Sequence, residues 1–343
     1  MEAERINNLL QKINPGNIDN FRKFQISTYG SRYTQYRAEW ESDINNKNLP
    51  NFPIYINLES TYICNLQCPS CFHGKYTKDL KKANLKNLNG ILDMPLETLK
   101  HILQESQENK LPSISLNWIG EPTLLKDLAE RIKLIKEAGI MDIIMTTNGI
   151  KLTPQLSMDI IKAGVTHVMF SADAISEETY NITRPGGNFK LFLENIKSFH
   201  KIRQELTQGL YPITRISVVA TSLNEHELKL VKEFYQDKVD YIDIQPLTLP
   251  HSNMTPLIPK TAKQTNFKCD EPFKKVAIRP NGDVFPCCSS QSQELKIGNI
   301  HQKSIKELFH SELMNKIRTD IETENITFNA CKFCYKNLYK VDI

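Results

Sequence analysis

The chain has 343 residues, 40% of them hydrophobic and 24% charged, enough for one large α/β domain or a main domain with a small appendage. A net charge of +4 is weak, and with lysine and arginine spread along the chain, charge alone does not indicate nucleic acid as a partner. No stretch approaches the ~18 consecutive apolar residues of a membrane span, and the opening MEAERINNLLQKIN lacks the basic-then-apolar layout of a signal peptide, so the expected location is the cytoplasm with no membrane partner.

Residues 1–50 are polar and asparagine-rich, with a short amphipathic helix expected at Ile6–Ile13, and read as a capping extension. From Pro53 the pattern becomes regular. β-rich runs at Pro53–Glu59, Ser113–Trp118, Asp142–Thr146, His167–Ser171, Thr214–Ala220 and Asp240–Gln245 alternate with helical periodicity. The helical segments include Leu124–Ala138, Gln155–Ala163, Phe189–Arg203 and Glu225–Tyr235, and Gly139 and Gly164 stand where C-caps do. Six strand–helix alternations predict parallel strands with right-handed crossovers, hence a full or partial (β/α)6 TIM-like barrel over 51–247.

Active sites of such barrels form at the C-terminal strand ends. Just past these strands stand Cys64, Cys68 and Cys71, then Gly120-Glu121-Pro122, Thr146-Thr147-Asn148-Gly149, Ser171 with Asp173, Thr221 with Asn224, and Gln245. Polar residues at one strand end are ordinary turn chemistry. Six such ends in succession point to one shared mouth. Beside the first of them lies a lysine run, Lys75, Lys78, Lys81, Lys82 and Lys86, opposed by Asp79. It reads as a solvated face or as a loop that meets a phosphorylated substrate.

After Pro246 the regular pattern stops, and Pro250, Pro256 and Pro259 read as a linker. A hairpin is expected from Val276–Ile278 and Val284–Phe285 around Asn281-Gly282, then a helix at Ser304–Ile317 and the closing pair Cys331 and Cys334. Residues 248–343 are therefore expected to form a small cysteine-rich unit.

Eight clustered cysteines in a chain without secretion signals favour metal over disulfides. Cys64-x3-Cys68-x2-Cys71 offers three thiolates; structural zinc asks for a fourth ligand, for which His73 is near, whereas an iron–sulfur cube accepts three and leaves one iron open. Cys269, Cys287, Cys331 and Cys334 supply four more thiolates, suited to a zinc knuckle or to a fully ligated cluster.

The C-x3-C-x2-C motif directly after the first barrel strand resembles the radical S-adenosylmethionine (radical SAM) superfamily, over about Pro53–Gln245. The resemblance implies a 4Fe–4S cluster on Cys64, Cys68 and Cys71 whose open iron chelates S-adenosylmethionine, giving a 5′-deoxyadenosyl radical. Ile119-Gly120-Glu121-Pro122 is similar to the family's G-G-E-P segment, with isoleucine for the first glycine. By that likeness Glu121 receives the cofactor's amino group, Ser171 its ribose or carboxylate, and Arg184 its carboxylate. Gly120, Thr146, Asn148, Asp173, Thr221 and Gln245 complete the candidate cofactor-binding set. Ser70 stands where the family often carries an aromatic residue.

The C-terminal cysteines resemble the SPASM or twitch appendage, here with cysteines for a single auxiliary 4Fe–4S cluster on Cys269, Cys287, Cys331 and Cys334. Two clusters and S-adenosylmethionine are thus the expected cofactors, with flavodoxin or ferredoxin as electron donor. The expected reaction is a two-electron dehydrogenation of a carbohydrate, aminocyclitol or sugar nucleotide, the auxiliary cluster accepting the second electron. Cys288, outside both ligand sets, suggests the alternative of a hydrogen-atom donor in an epimerase. A peptide maturase is a further alternative, although the ~50 residues before Pro53 are short for the leader-binding domain of about 80 residues common in such enzymes. A zinc-dependent binding protein is the reading from outside catalysis.

Overall fold

In the computed structural model, residues 10–42, 49–249, 252–265, 267, 269–288 and 294–342 are described. Residues 6–9 of the helix expected at Ile6–Ile13 lie outside them, and Leu10–Lys12 is a strand, β1, instead. Two unanticipated helices follow, α1 at Pro15–Tyr29 and α2 at Ser31–Glu41. Proline opens α1, and the Asn14 side chain caps it by accepting from Asn17 N at 3.2 Å. In α2, Tyr33, Tyr36, Arg37 and Trp40 recur on one buried face, and the aromatic ones pack against Tyr55 and Met141.

The barrel strands come next, with α3 (Lys78–Asn87) and α4 (Leu96–Glu108) between the first two. They are β2 (Tyr55–Leu58), β3 (Ser113–Ser115), β4 (Asp142–Thr147), β5 (His167–Ser171), β6 (Ile213–Val219) and β7 (Tyr241–Gln245). All five neighbouring pairs are parallel and in sequence order, and β1 pairs antiparallel to β7 at the edge. This is the partial (β/α)6 barrel expected. The crossovers carry α5 (Leu128–Glu137), α6 (Pro154–Ala163), α7 (Glu177–Thr183) with α8 (Phe189–Thr207), and α9 (Val231–Tyr235).

Strand period decides what each face does. Ile56, Leu58, Ile143, Val168, Ile216 and Ile242 share one core with Ile102, Ile132, Ile160 and Phe199 of the helices. Burying each such side chain contributes roughly 1.5–3 kcal/mol. The alternate positions face the lumen and mix polar Asn57, Ser115, Asp142, His167, Ser217 and Asp243 with apolar or aromatic Tyr55, Ile144, Met169 and Tyr241. Its lower end holds a cavity of about 120 Å³ lined in part by Tyr36, Arg37 and Trp40 of α2 with Asp142, His167 and Arg215.

Expected helix ends hold where glycine stops the helix: Gly164 caps α6 at φ 104°. The helix expected at Glu225–Tyr235 shrinks to a 3-10 turn, Leu228–Leu230, and α9. Asn224 and Glu227 explain the loss, because their side chains bind loop backbone at Thr221, Val219 and Ile175 instead.

Past β7, the proline-rich stretch includes β8 (Leu247–Thr248), a 3-10 turn at Ser252–Leu257 and β9 (Lys263–Gln264), with Leu247, Leu249, Met254 and Leu257 buried together. A short helix, α10 (Glu271–Lys274), leads into β10 (Lys275–Ile278), which pairs parallel with β2 and continues the sheet. Then β11 (Asp283–Phe285) and β12 (Gly298–Asn299) extend it antiparallel. The β10–β11 connection is not the two-residue turn expected of Asn281-Gly282. Arg279 N donates to Asp283 O, Gly282 N donates to Arg279 O, and Gly282 takes φ 82°, giving a three-residue loop with glycine at its left-handed position.

The helix expected at Ser304–Ile317 is two helices, α11 (Ile305–Phe309) and α12 (Glu312–Glu322), because the Ser311 hydroxyl caps a new start at Met314 N. Finally α13 (Asn329–Lys336) carries Cys331 and Cys334, and β13 (Leu338–Lys340) joins β8 and β9. Among the described residues, no helix is long and apolar enough to cross a membrane.

Candidate active site and iron–sulfur centres

The loop after β2 presents Cys64, Cys68 and Cys71 at the C-terminal mouth of the barrel. Backbone bonds wind it tightly: Cys71 N donates to Cys68 O, and Gly74 N to Cys71 O, each at 3.0 Å. Glycine is required at 74, since a Cβ there would lie 2.4 Å from Cys68 O. Burial pushes the Cys64 thiol up to about 11 and the Cys71 thiol to about 12. Thiolates in this loop therefore need a cationic partner. Arg184 supplies one charge, its Nη1 standing 3.8 Å from Cys68 Sγ, and an iron core held by all three cysteines fits the remaining demand. His73, the fourth ligand a zinc site would need, packs against the Tyr62 ring at 5.2 Å, and burial lowers it to about 4. Among the described residues, no group of three His, Cys, Asp or Glu side chains is arranged to hold a single ion.

Gly120 and Glu121 dock on this loop. A Cβ at 120 would fall 1.9 Å from Thr61 O, and Glu121 N donates to Ile63 O at 2.8 Å. The Glu121 carboxylate is 3% exposed. Its Oε1 accepts from Thr123 N, Thr123 Oγ1 and Thr147 Oγ1 at 3.1, 2.6 and 2.7 Å, and its Oε2 from Asn148 N at 2.7 Å. Burial raises its pKa against the pull of these donors. Oε2 keeps a lone pair for another donor.

Asp173 and Arg184 form a buried pair, Oδ2 to Nη2 at 2.6 Å, so Arg184 meets a carboxylate of the chain itself and Cys68 rather than open solvent. Asp173 adopts φ 57°, and its Oδ1 accepts from Val219 N. Asn224 ties the mouth together by donating to Asp173 O, and its Oδ1 accepts from Thr221 N. Ser70, Asp173, Thr183 and Thr221 wall a small hollow beside the cysteine loop. Asn148 donates to Asn65 Oδ1 and lies 4.0 Å from Cys64 Sγ. Thr146 N donates to Asn117 Oδ1. Ser171 is half-buried beside Ser217 in the strand register, while Gln245 binds Asp243 lower in the lumen. The structure thus brings Gly120, Glu121, Asn148, Asp173, Arg184 and Thr221 to the cysteine loop, with Thr146, Ser171 and Gln245 along the lumen wall.

Sequence reasoning missed Glu59 and Arg279. Arg279, at the end of β10, lies 5.0 Å from both the Trp118 and Phe285 rings, and its Nε is 3.8 Å from Glu59 Oε2. Both residues are buried, and burial pushes the Glu59 carboxyl up to about 7 despite Arg279 and the Ile119 N–H. The available signal was period: Tyr55, Asn57 and Glu59 alternate with Ile56 and Leu58, placing a charge on the lumen side.

The C-terminal thiols also converge. Cys269 lies within electrostatic reach of Cys287 and Cys334, and Cys331 within that of Cys334. Cys269 and Cys331 pack on one apolar cluster with Phe273, Leu295 and Ile317. Burial pushes the Cys331 thiol up to about 12, which again calls for a cationic partner such as iron. Cys288 Sγ stands 3.9 Å from Glu271 Oε2, on the helix that follows Cys269.

Residues 58–235 match the radical SAM superfamily, and residues 269–335 match SPASM, an iron–sulfur cluster-binding domain. The chain is 26% identical over 200 residues to the 7,8-dihydro-6-hydroxymethylpterin dimethyltransferase of Methanocaldococcus jannaschii, covering 57% of this chain but 36% of that relative. It is also 26% identical over 324 residues to the tungsten-containing aldehyde ferredoxin oxidoreductase cofactor-modifying protein of Pyrococcus furiosus, covering 82% of this chain and 86% of that one. Among solved structures, BtrN in complex with AdoMet and 2-DOIA shares the fold, with a TM-score of 0.55 at 16% identity over 87% of this chain and 95% of that chain.

Proposed function

Because the chain belongs to the radical SAM superfamily and carries a SPASM domain, its cofactors are S-adenosylmethionine and 4Fe–4S clusters, and we propose that it dehydrogenates a polar, hydroxylated substrate: a carbohydrate, aminocyclitol or sugar nucleotide. These matches support iron–sulfur clusters over zinc as the occupants of the two cysteine sets. When bound, the clusters and S-adenosylmethionine supply a carbon-centred radical that abstracts hydrogen and, at the second cluster, an acceptor for a further electron.

The chain's own residues set the geometry. Cys64, Cys68 and Cys71 would hold the first cluster, with Arg184 lowering the cost of thiolate charge at Cys68. Glu121 Oε2 would receive the amino group of S-adenosylmethionine, while Thr123, Thr147 and Asn148 fix the carboxylate so that it does not reorganise on binding. Asp173 would orient Arg184 rather than touch the cofactor. Among the described residues, Asn57 Oδ1 and Ser217 Oγ are buried lumen atoms without a hydrogen-bond partner, which supports a substrate that brings hydroxyl groups to pair with them.

The observation that carries the reading is the four-thiol set of Cys269, Cys287, Cys331 and Cys334. Four thiolates saturate a cluster, leaving no iron to bind substrate and favouring a role in electron transfer. Oxidation of an alcohol carbon then removes one hydrogen atom, one electron and the hydroxyl proton, leaving a ketone. Cys288 supports a second reading, epimerisation, because a thiol beside the Glu271 carboxylate has a proton acceptor at hand. Turnover in deuterium oxide separates them. Dehydrogenation yields a product two hydrogens lighter, without deuterium at the reacting carbon and indifferent to Cys288→Ala. A product of unchanged formula carrying one deuterium, lost in Cys288→Ala, overturns the dehydrogenase.

A further inference from the structure

We propose that the lysine face of α3 is the docking surface for an acidic electron-carrier protein that reduces the first cluster, an inference that rests on reading Cys64, Cys68 and Cys71 as its ligands. The helix has two unlike faces. Leu80 and Leu88, eight residues apart, share an apolar cluster with Cys71 and Tyr62, and buried Asn84 between them accepts from Arg279. The opposite stripe, Lys78, Lys82 and Lys86 at spacings of four, is exposed, and exposed Lys75 precedes it. Half-buried Lys81 lies at its flank.

Asp79 is the one acid from residue 75 to residue 92. Among the described residues, none of these five lysines has an ion-pair partner. Like charges four apart on a helix repel, so the stripe works against the helix that carries it until an opposite charge arrives. Leu85 is 38% exposed among the lysines, giving the patch an apolar element inside a basic rim.

Its position suggests what it serves. The Thr77 hydroxyl, at the start of α3, donates to Cys71 O at 2.9 Å. Lys78 follows directly, so the near end of the lysine stripe lies one residue from this contact, and the stripe runs on for about 12 Å along the helix to Lys86. Every reductive cleavage requires one electron from outside the chain. A reduced flavin carrier can give it, passing from hydroquinone to semiquinone as the cluster gains the electron. Acidic surfaces on such a carrier are complementary to the lysines and would be steered to this face.

The test compares two routes to 5′-deoxyadenosine in the cluster-loaded full chain, with reduced flavodoxin or with dithionite as electron source. The triple variant Lys78→Glu, Lys82→Glu, Lys86→Glu is expected to slow the flavodoxin route about tenfold or more while leaving the dithionite route unchanged. In the unsubstituted protein, the ratio of flavodoxin-driven to dithionite-driven rate is expected to fall as salt rises. An undiminished flavodoxin route in the variant overturns the proposal. So does a variant whose defect lies in substrate KM with cofactor reduction intact, since the lysines then meet substrate. Should the variant lose both routes through misfolding, the salt titration decides, and a salt-independent ratio overturns the proposal. An unsubstituted protein inert with dithionite refutes the cluster reading instead.

Discussion

Replacing Glu121 by glutamine changes one atom and disturbs a counted set of hydrogen bonds. Three donors meet Oε1 and one meets Oε2. An amide group at the Oε1 position would face all three donors. The preferred orientation therefore puts the amide nitrogen at Oε2, against the Asn148 N–H. One buried donor is then orphaned, costing roughly 1–3 kcal/mol of stability. The same nitrogen now confronts the cofactor's amino group where a carboxylate oxygen stood. Losing that charge-assisted bond costs roughly 1.5–3 kcal/mol, or about 10- to 100-fold in affinity. Equilibrium binding of S-adenosylmethionine to anaerobically reconstituted Glu121→Gln, with iron content measured alongside, checks both parts. An unchanged dissociation constant at full iron content would refute the assignment of Oε2. Loss of iron would show that Glu121 serves the loop rather than the cofactor.

Gly120→Ala places a methyl group 1.9 Å from the Thr61 carbonyl, where neither backbone can yield cheaply. Its cost is expected at the upper end of the roughly 1–3 kcal/mol of an overpacked site, with cofactor cleavage down at least about tenfold; cleavage at the unsubstituted rate would contradict the docking of this loop. Glu59 gives a pH dependence. Burial raises its carboxyl from 4.5 to about 7, so the folded chain holds a proton there that the unfolded chain has released. Its contribution to stability is full below pH 4.5 and falls by about 3 kcal/mol as pH rises to 7. Anaerobic urea midpoints of Glu59→Gln should lose that slope between pH 5 and 7, and an unchanged slope would assign it to other groups.

The barrel was legible because its strands are short, apolar on one face and punctuated by glycine or polar turns. His167–Ser171 appears with the bounds its sequence pattern suggested. The helix α2 escaped notice because it is polar apart from Tyr33, Tyr36 and Trp40, and those side chains pack on Tyr55 of the first barrel strand and on Met141 far along the chain. Likewise β10 reads as half of a local hairpin, while its parallel pairing with β2 joins residues more than 200 apart. At the site, residue types were legible and partners were not. Glu121 stands out in its segment, but nothing local says that Thr147 and Asn148 will bind it. Arg184 suggested a ligand for a carboxylate, and the carboxylate it meets is Asp173, eleven residues earlier. Glu59 and Arg279 meet across 220 residues through the same parallel pairing that local patterns did not reveal.

On this reading two sets of thiols hold two clusters, and the first cluster is needed to cleave S-adenosylmethionine. Iron counting on anaerobically reconstituted protein, paired with 5′-deoxyadenosine release under dithionite, tests it most directly. About eight irons per chain are expected. The Cys64→Ala, Cys68→Ala, Cys71→Ala triple variant is expected to hold about four irons and to release no 5′-deoxyadenosine. Zinc in place of iron, or undiminished cleavage by the triple variant, would contradict it.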